Sequence, residues 1–456
     1  MLTRLSATAY MARHLWGQAQ YPYKPLEQIR LRQSRRVRAM IEYAYRFVPY
    51  YRETMRRLGV CPADFARAED LRRLPLIERE QLQRDPEYFV SEAQPMDRYL
   101  RVQTAGTTGA PRTVYIDARA LYLDAAHGGR ERAMISQLVG RPWAYRKTMI
   151  VSIHSTALRV QQFHRDHSLF PRGLPVRRQT LSIFDAPALN VRRINEFKPD
   201  VLHSYGSYLE ALFGYLQTNR EPLYKPKVIT YTSDTLSAVA RRRIEGEFGI
   251  PVLGTYETVE SLKAGFECRH HTGVHLNIDL CPLYVADADG NPLPMGASGE
   301  VVVSNLVNRA TVLLNYRLGD IAALLPDQCP CGRSLPLLSD LQGRSDDWIE
   351  LDSGELAHPQ LARVIVMQER DIWQYQIVQH SPGRFSVSAV AAPACDCDVV
   401  RRRVTAAFER TFGAGTHVDV RFVDALPRQE GGKVRAMIRQ RAQLASTSDA
   451  PSANEA

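Results

Sequence analysis

The sequence predicts an α/β protein: a large N-terminal domain built on a parallel α/β sheet with a smaller β-rich subdomain, followed by a small α+β domain. Three observations carry this. At 456 residues the chain is too long for one compact core. From Thr148 to about Gly254, short apolar runs alternate with helical stretches, which is the pattern of crossover connections between parallel strands. After about Asn277 the pattern changes to short strands joined by turns, and near Gly343 it changes again.

Taken in order, the segment from Leu26 to Leu58 reads as helical. Val37, Met40, Ile41 and Ala44 recur with helical spacing, and Pro49 interrupts. Tyr99–Val102 and Thr113–Ile116 are extended in character and flank a Gly/Thr cluster. The alternating region offers strands at Thr148–Ile153, Val201–His203, Lys227–Tyr231 and Pro251–Gly254, with helices at Ser207–Gln217 and Ser237–Phe248. Leu283–Ala286, Gly299–Ser304 and Ile321–Leu324 read as a second sheet or small barrel, with a turn at Asp289-Gly290. The last unit offers strands at Gln374–Gln379, Phe385–Ala391 and Val418–Val423, a helix at Val399–Phe412, and a basic helix after Lys433. The expected domains are 1–343 and 344–445, with a polar, disordered tail at 446–456.

Composition narrows the class. The formal charge is +10, but the arginines are scattered in short runs such as Arg241–Arg243 and Arg401–Arg403. Solvated helix faces explain such runs better than a nucleic-acid surface does, and attraction of a polyphosphate substrate is the next reading. No apolar run approaches the ~20 residues of a membrane span. The N-terminus, with Arg4, Arg13 and His14, does not read as a secretory leader. Seven cysteines without such a leader argue against a disulfide framework, so the expected location is the cytoplasm, with no membrane partner. Two Cys-x-Cys pairs, Cys329/Cys331 and Cys395/Cys397, raise the question of a metal.

The most informative local motif is Thr104-Ala105-Gly106-Thr107-Thr108-Gly109-Ala110-Pro111. Glycines let the backbone approach a phosphate, and threonine hydroxyls add donors. The Walker spacing GxxxxGK[ST] is missing, and a Gly/Thr loop alone is more often an ordinary turn.

Four further stretches follow in order: Tyr256-Glu-Thr-Val-Glu260, Tyr316-Arg-Leu-Gly-Asp320, Gly343-Arg-Ser-Asp-Asp347 and Leu426-Pro-Arg-Gln-Glu-Gly-Gly-Lys433. Together with the loop they resemble the ordered motifs of the adenylate-forming superfamily of acyl-CoA synthetases, adenylation domains and luciferases. Val48-Pro-Tyr-Tyr51, Phe266-Glu-Cys268, Cys329-Pro-Cys-Gly-Arg333 and Trp373-Gln-Tyr-Gln-Ile377 narrow the resemblance to the phenylacetate-CoA ligase branch and its CapK-like relatives.

The resemblance implies ATP-dependent activation of a carboxylic acid as an acyl-adenylate, followed by transfer to CoA. Alternatives are transfer to an amine or alcohol, or nucleotidyl transfer; a basic, zinc-containing scaffold or nucleic-acid-binding module is the reading from a different class. Thr104, Gly106, Thr107, Thr108 and Gly109 would cradle the phosphates, with Thr107 among the catalytic groups. Tyr256 would stack on adenine, with Ser233 and Asp234 forming the adenine-side turn. Asp320 would accept the ribose hydroxyls and Arg344 would support them. Glu260 would hold Mg²⁺. Lys433 would enter the site to neutralise charge in the transition state, and Asp346 would be the hinge of a mobile C-terminal cap. Some members of the branch carry a structural zinc, and Cys268, His275, Cys329 and Cys331 fit that pattern, with His270 and His271 competing for the nitrogen position. Glu257 stands where the family favours glycine, Arg112 where it favours lysine and Asn315 where it favours arginine; Glu257 and Asn315 are expected to retune nucleotide affinity. By analogy the acyl pocket falls near 152–170 and 203–208, with His154, His164 and His203 as polar candidates.

Overall fold

A computed structural model describes the chain except residues 1–3, 104–111, 143, 154, 170–176, 345–347, 355, 358, 370, 393–394, 414, 429–433 and 441–456. Two compact units emerge: residues 1–345 with 425–434, and residues 346–424 with 435–456. The sequence places the domain change at 343/344. The structure divides at 345/346, and it groups 425–434 with the larger unit.

In the larger unit the helices Leu26–Phe47 and Pro49–Leu58 follow the apolar spacing, burying Val37, Met40, Ile41 and Ala44 on the first. Val48 is extended between them, as the residue before a proline must be, and Pro49 takes the first helical position, where its missing N–H costs nothing.

The parallel strands lie side by side in the order Arg177–Ser182, Arg146–Val151, Val201–Tyr205, Val228–Thr232 and Val252–Thr258. Helices Thr156–His167, Pro187–Phe197, Gly206–Asn219 and Ala238–Gly246 connect them. Successive strand residues feed opposite cores. Leu202, Ile229 and Val252 pack with Leu209, Leu212 and Ile244, whereas Val201, Val228 and Leu253 pack with Met134, Ile135 and Val139 of the helix Gly129–Val139. Burial on both faces explains why these strands read as unbroken apolar runs.

The β-rich part is not a second sheet, as the sequence suggested. From Val252–Thr258 the hydrogen-bonded path continues through Leu262–Glu267, Val274–Leu276, Leu337–Leu338, Tyr316–Leu325, Ser298–Val303 and Leu283–Ala286. The pairings in this half are antiparallel.

One buried polar knot ties the helix Gly129–Val139 to this sheet. Arg130 grips Asp279 with two bonds, Nη1 to Oδ1 at 2.7 Å and Nη2 to Oδ2 at 2.9 Å. It also donates to Gln18 and Asn277 and lies 4.2 Å from the Tyr21 ring centre. Burial alone would raise the Asp279 carboxyl, but Arg130 and Arg36 hold it far below the usual range.

The smaller unit is a four-stranded sheet in the order His417–Phe422, Arg384–Ala391, Ile372–Ser381 and Met437–Arg439. Val400, Val404 and Phe408 of the helix Cys397–Phe412 fill its core together with Phe385, Val387 and Met437. The basic helix expected after Lys433 is replaced, among the described residues, by the strand Met437–Arg439, which pairs in parallel with Ile377–Gln379. Burial of Met437 against the sheet outweighs the modest helix propensity of the segment.

Candidate active site and metal cluster

The strands Leu100–Gln103 and Thr113–Ile116 pair antiparallel with Gln103 opposite Thr113, so the Gly/Thr loop closes a hairpin. The loop residues Thr104, Gly106, Thr107, Thr108 and Gly109 themselves lie outside the described residues, as do Asp346 and Lys433. Where the chain emerges from the loop, Arg112 Nη2 lies 3.6 Å from Glu260 Oε1. Glu260 is 6% exposed, and its carbonyl accepts from Asn305. The hairpin thus brings the end of the Gly/Thr loop to the motif carboxylate.

Tyr256 stands at the carboxyl end of its strand, beyond the residues paired to Val228–Thr232. Its hydroxyl donates to Asp320 Oδ2 at 2.8 Å. Asp320 in turn pairs through its backbone with Arg344, and Ile321 pairs with Gly343. Three of the five ordered motifs therefore converge on one corner of the sheet. The preceding Gly319, inside the strand, has φ +81, a backbone conformation that favours glycine, and a Cβ there would sit 2.6 Å from the Arg79 guanidinium.

Two neighbours of Asp320 prove structural. Arg317 pairs with Glu300 at 2.7 Å and Glu78 at 3.0 Å. Asn315 adopts φ +60, and its side chain bonds to the Tyr284 hydroxyl and the Leu74 carbonyl. The departure at Asn315 is thus a buried corner.

Ser233 is held at φ +76, and Asp234 accepts from the Ser207 hydroxyl at 2.6 Å and the Ser207 amide at 3.3 Å. Gly206 makes this approach possible, because a Cβ would sit 2.6 Å from the Thr235 and Leu236 backbone. Arg428, in the stretch that leads to Lys433, lies over the Tyr208 ring at 5.4 Å. Burial pulls its guanidinium down, against the charge of Asp234. Sequence reasoning passed over Arg428, although it stands inside a quoted motif.

The third departure is charged. Glu257 contacts Lys263, which also pairs with Glu131 at 3.2 Å. Of the acyl-pocket candidates, His203 Nδ1 lies 2.9 Å from Thr230 Oγ1 on the parallel sheet. His164 is buried on the helix Thr156–His167, where burial pushes it down to about 4. His154 is outside the described residues.

Cys268, His275, Cys329 and Cys331 come together with their ligand atoms all within 4.8 Å of one another. Cys268 Sγ is 3.5 Å from Cys329 Sγ, and Cys331 Sγ is 3.4 Å from His275 Nε2. Tetrahedral ligands about 2.3 Å from an ion sit roughly 3.7 Å apart, so the set fits a zinc-sized cation. His271 is engaged elsewhere, 2.7 Å from Arg241 and 3.1 Å from Glu245, and His270 is exposed, which leaves His275 as the nitrogen donor. Burial pushes the Cys268 thiol up to about 12, so a bound cation would be needed to hold it as thiolate.

Residues 351–440 match the family model of the CapK C-terminal domain. Over 91% of its length the chain aligns with the phenylacetate-coenzyme A ligase of Thermus thermophilus, at 25% identity and covering 97% of that protein. It aligns with the protein CapK of Staphylococcus aureus at 21% identity, over 89% of this chain and 88% of that one. The fold is shared with a solved 2-hydroxyisobutyryl-CoA ligase: TM-score 0.73, 18% identity, 92% of this chain and 91% of the other. Over nearly its full length the chain is thus similar to phenylacetate-coenzyme A ligases and to CapK, and it shares the fold of a CoA ligase.

Proposed function

We propose that the protein is an AMP-forming ligase. It would activate a carboxylic acid with ATP as an acyl-adenylate, release pyrophosphate, and pass the acyl group to the thiol of CoA. The observation that carries this reading is the Tyr256–Asp320 contact at the carboxyl end of a parallel strand, with Glu260 on the same chain segment. Ligands of open α/β sheets sit outside the carboxyl ends of strands.

In this reading Asp320 accepts the two ribose hydroxyls, since an ionised carboxylate offers only acceptors. Tyr256 orients that carboxylate through its hydroxyl while its ring flanks the base. Gly106 to Gly109, with Thr104, hold the phosphates through backbone N–H groups and hydroxyls. Lys433 brings a cation on a long stem to the charge that develops as pyrophosphate leaves, and Asp346 is the hinge that allows its approach and withdrawal. Glu260 is an oxygen donor suited to Mg²⁺, which when bound neutralises phosphate charge. Arg112 holds the Glu260 carboxylate in place. Cys268, His275, Cys329 and Cys331 would hold a structural Zn²⁺, which would tie the chain near Cys268 to the Cys329–Cys331 turn.

Carboxylate-dependent pyrophosphate release from ATP and Mg²⁺, measured with and without CoA, tests this. Release with at least one acid, stimulated by CoA, is expected. Release that hydroxylamine stimulates but CoA does not would reassign the acceptor to an amine or alcohol. No release with any acid would overturn the reading.

A further inference from the structure

Among the described residues the strands Leu100–Gln103 and Thr113–Ile116, which flank the Gly/Thr loop, pair only with each other. Val102, Val114 and Ile116 bury against the core, but apolar contact is non-directional and does not fix where a strand sits along it. Direction comes from the segment between the strands Ser298–Val303 and Tyr316–Leu325. It carries Asn305, Asn308 and Thr311, all buried.

Asn308 and Thr311 grip the strand that leaves the loop. Thr311 Oγ1 accepts from the Tyr115 amide at 2.8 Å, and Asn308 Nδ2 donates to the Tyr115 carbonyl at 2.8 Å. Asn308 Oδ1 accepts from the Asp117 amide at 3.2 Å, and the Arg309 amide donates to Asp117 Oδ2 at 2.7 Å. Asn308 also bonds to the Thr311 carbonyl and the Ala310 amide, so both its donors and both its acceptor sites are in use. An aspartate of the same size would lose the two donors.

Asn305 turns the same segment toward Glu260. Its Nδ2 donates to the Glu260 carbonyl at 2.8 Å, and its Oδ1 accepts from the Asn308 amide at 3.0 Å. On the other side Arg112, immediately before the strand Thr113–Ile116, reaches Glu260 Oε1. An unbroken run of buried hydrogen bonds thus leads from Glu260 through Asn305 and Asn308 to Tyr115 and Asp117. Buried side-chain networks of this kind, with every member satisfied, hold a single geometry.

We propose that Asn305, Asn308 and Thr311 are positioning residues: they fix the strand leaving the Gly/Thr loop against Glu260, and so set the distance between the phosphates and the Mg²⁺ ligand. This rests on the adenylation reading, in which the loop would hold the phosphates and Glu260 the metal. In such chemistry a displacement of about 1 Å can cost about a hundredfold in rate.

The test titrates the full-length protein with Mg·ATP and with adenosine, which lacks the phosphates, and follows heat of binding. Asn305→Ala and Asn308→Ala are expected to weaken Mg·ATP binding by about tenfold and to leave adenosine binding within about twofold of wild type. Thr311→Val removes the acceptor for Tyr115 with little change of shape and is expected to act in the same direction, whereas Thr311→Ser restores binding. This pair decides the matter if Asn308→Ala fails to fold. The weakened variants should also need about tenfold more Mg²⁺ for half-maximal pyrophosphate release. Adenosine binding weakened as much as Mg·ATP binding would mean that the segment only supports the fold. That result, or unchanged Mg·ATP binding, would overturn the proposal while leaving the adenylation reading standing. Wild-type protein that releases pyrophosphate with no acid would remove both.

Discussion

The Tyr256 hydroxyl donates to Asp320 Oδ2 at 2.8 Å, joining two motifs that lie 64 residues apart in the chain. Tyr256→Phe keeps the ring and releases the carboxylate, so it is expected to raise the KM for ATP by about tenfold, the worth of one charge-assisted hydrogen bond. In the proposed reading Asp320→Ala would remove both ribose contacts, and it is expected to lower kcat/KM for ATP by about a hundredfold or more. Steady-state kinetics with ATP varied checks both. Equal losses in the two variants would mean that Tyr256 does more than orient Asp320.

Lys433→Ala is expected to lower pyrophosphate release by about a hundredfold or more, with an unchanged thermal unfolding profile, because in the proposed reading its charge would be needed only as the leaving group departs. Wild-type rates in this variant would take Lys433 out of the chemistry.

Elemental analysis is expected to find about one zinc per chain, lost when Cys329 and Cys331 are both changed to serine. The same double variant should melt several degrees lower, since the four ligands connect the chain near Cys268 to the Cys329–Cys331 turn. A folded wild-type protein free of metal would dismiss the site.

Arg130→Met is expected to destabilise the larger unit by about 3–5 kcal/mol, because it strands the Asp279 charge in the interior. The pH dependence follows from the depressed Asp279 carboxyl. Its stabilisation is complete above the unfolded carboxylate value of about 3.9 and is lost as pH falls below it toward the folded value. Denaturant midpoints measured from pH 6 down to pH 2.5 should therefore drop more steeply in wild type than in an Arg130→Met/Asp279→Asn double variant.

Much of this was legible in the chain. Alternating apolar runs gave the parallel strands because both faces of that sheet are buried, as Leu202 and Val201 show by feeding different cores. The Cys-x-Cys spacing and the resemblance together picked out four side chains that the fold brings within 4.8 Å of one another. Short strands such as Leu283–Ala286 gave no sign of which edge they would join, because pairing partners are set by tertiary contacts and not by the segment itself. Met437 and Ile438 misled for the same reason: a sheet edge in the smaller unit claims them. Asn315 stood out as a departure from the family pattern, but no spacing announced its bonds to Tyr284 and Leu74, which come from distant segments.

The grouping of 425–434 with the larger unit has a consequence for how the protein can be divided. The backbone passes from one unit to the other three times, at 345/346, 424/425 and 434/435. A chain cut after residue 345 would lose a piece of its own body, including the Arg428 that rests on Tyr208. The smaller unit is therefore an insertion into the larger one as much as an appendage, and splitting the gene at the first junction would leave one fragment incomplete and the other with a stretch of sequence that belongs elsewhere.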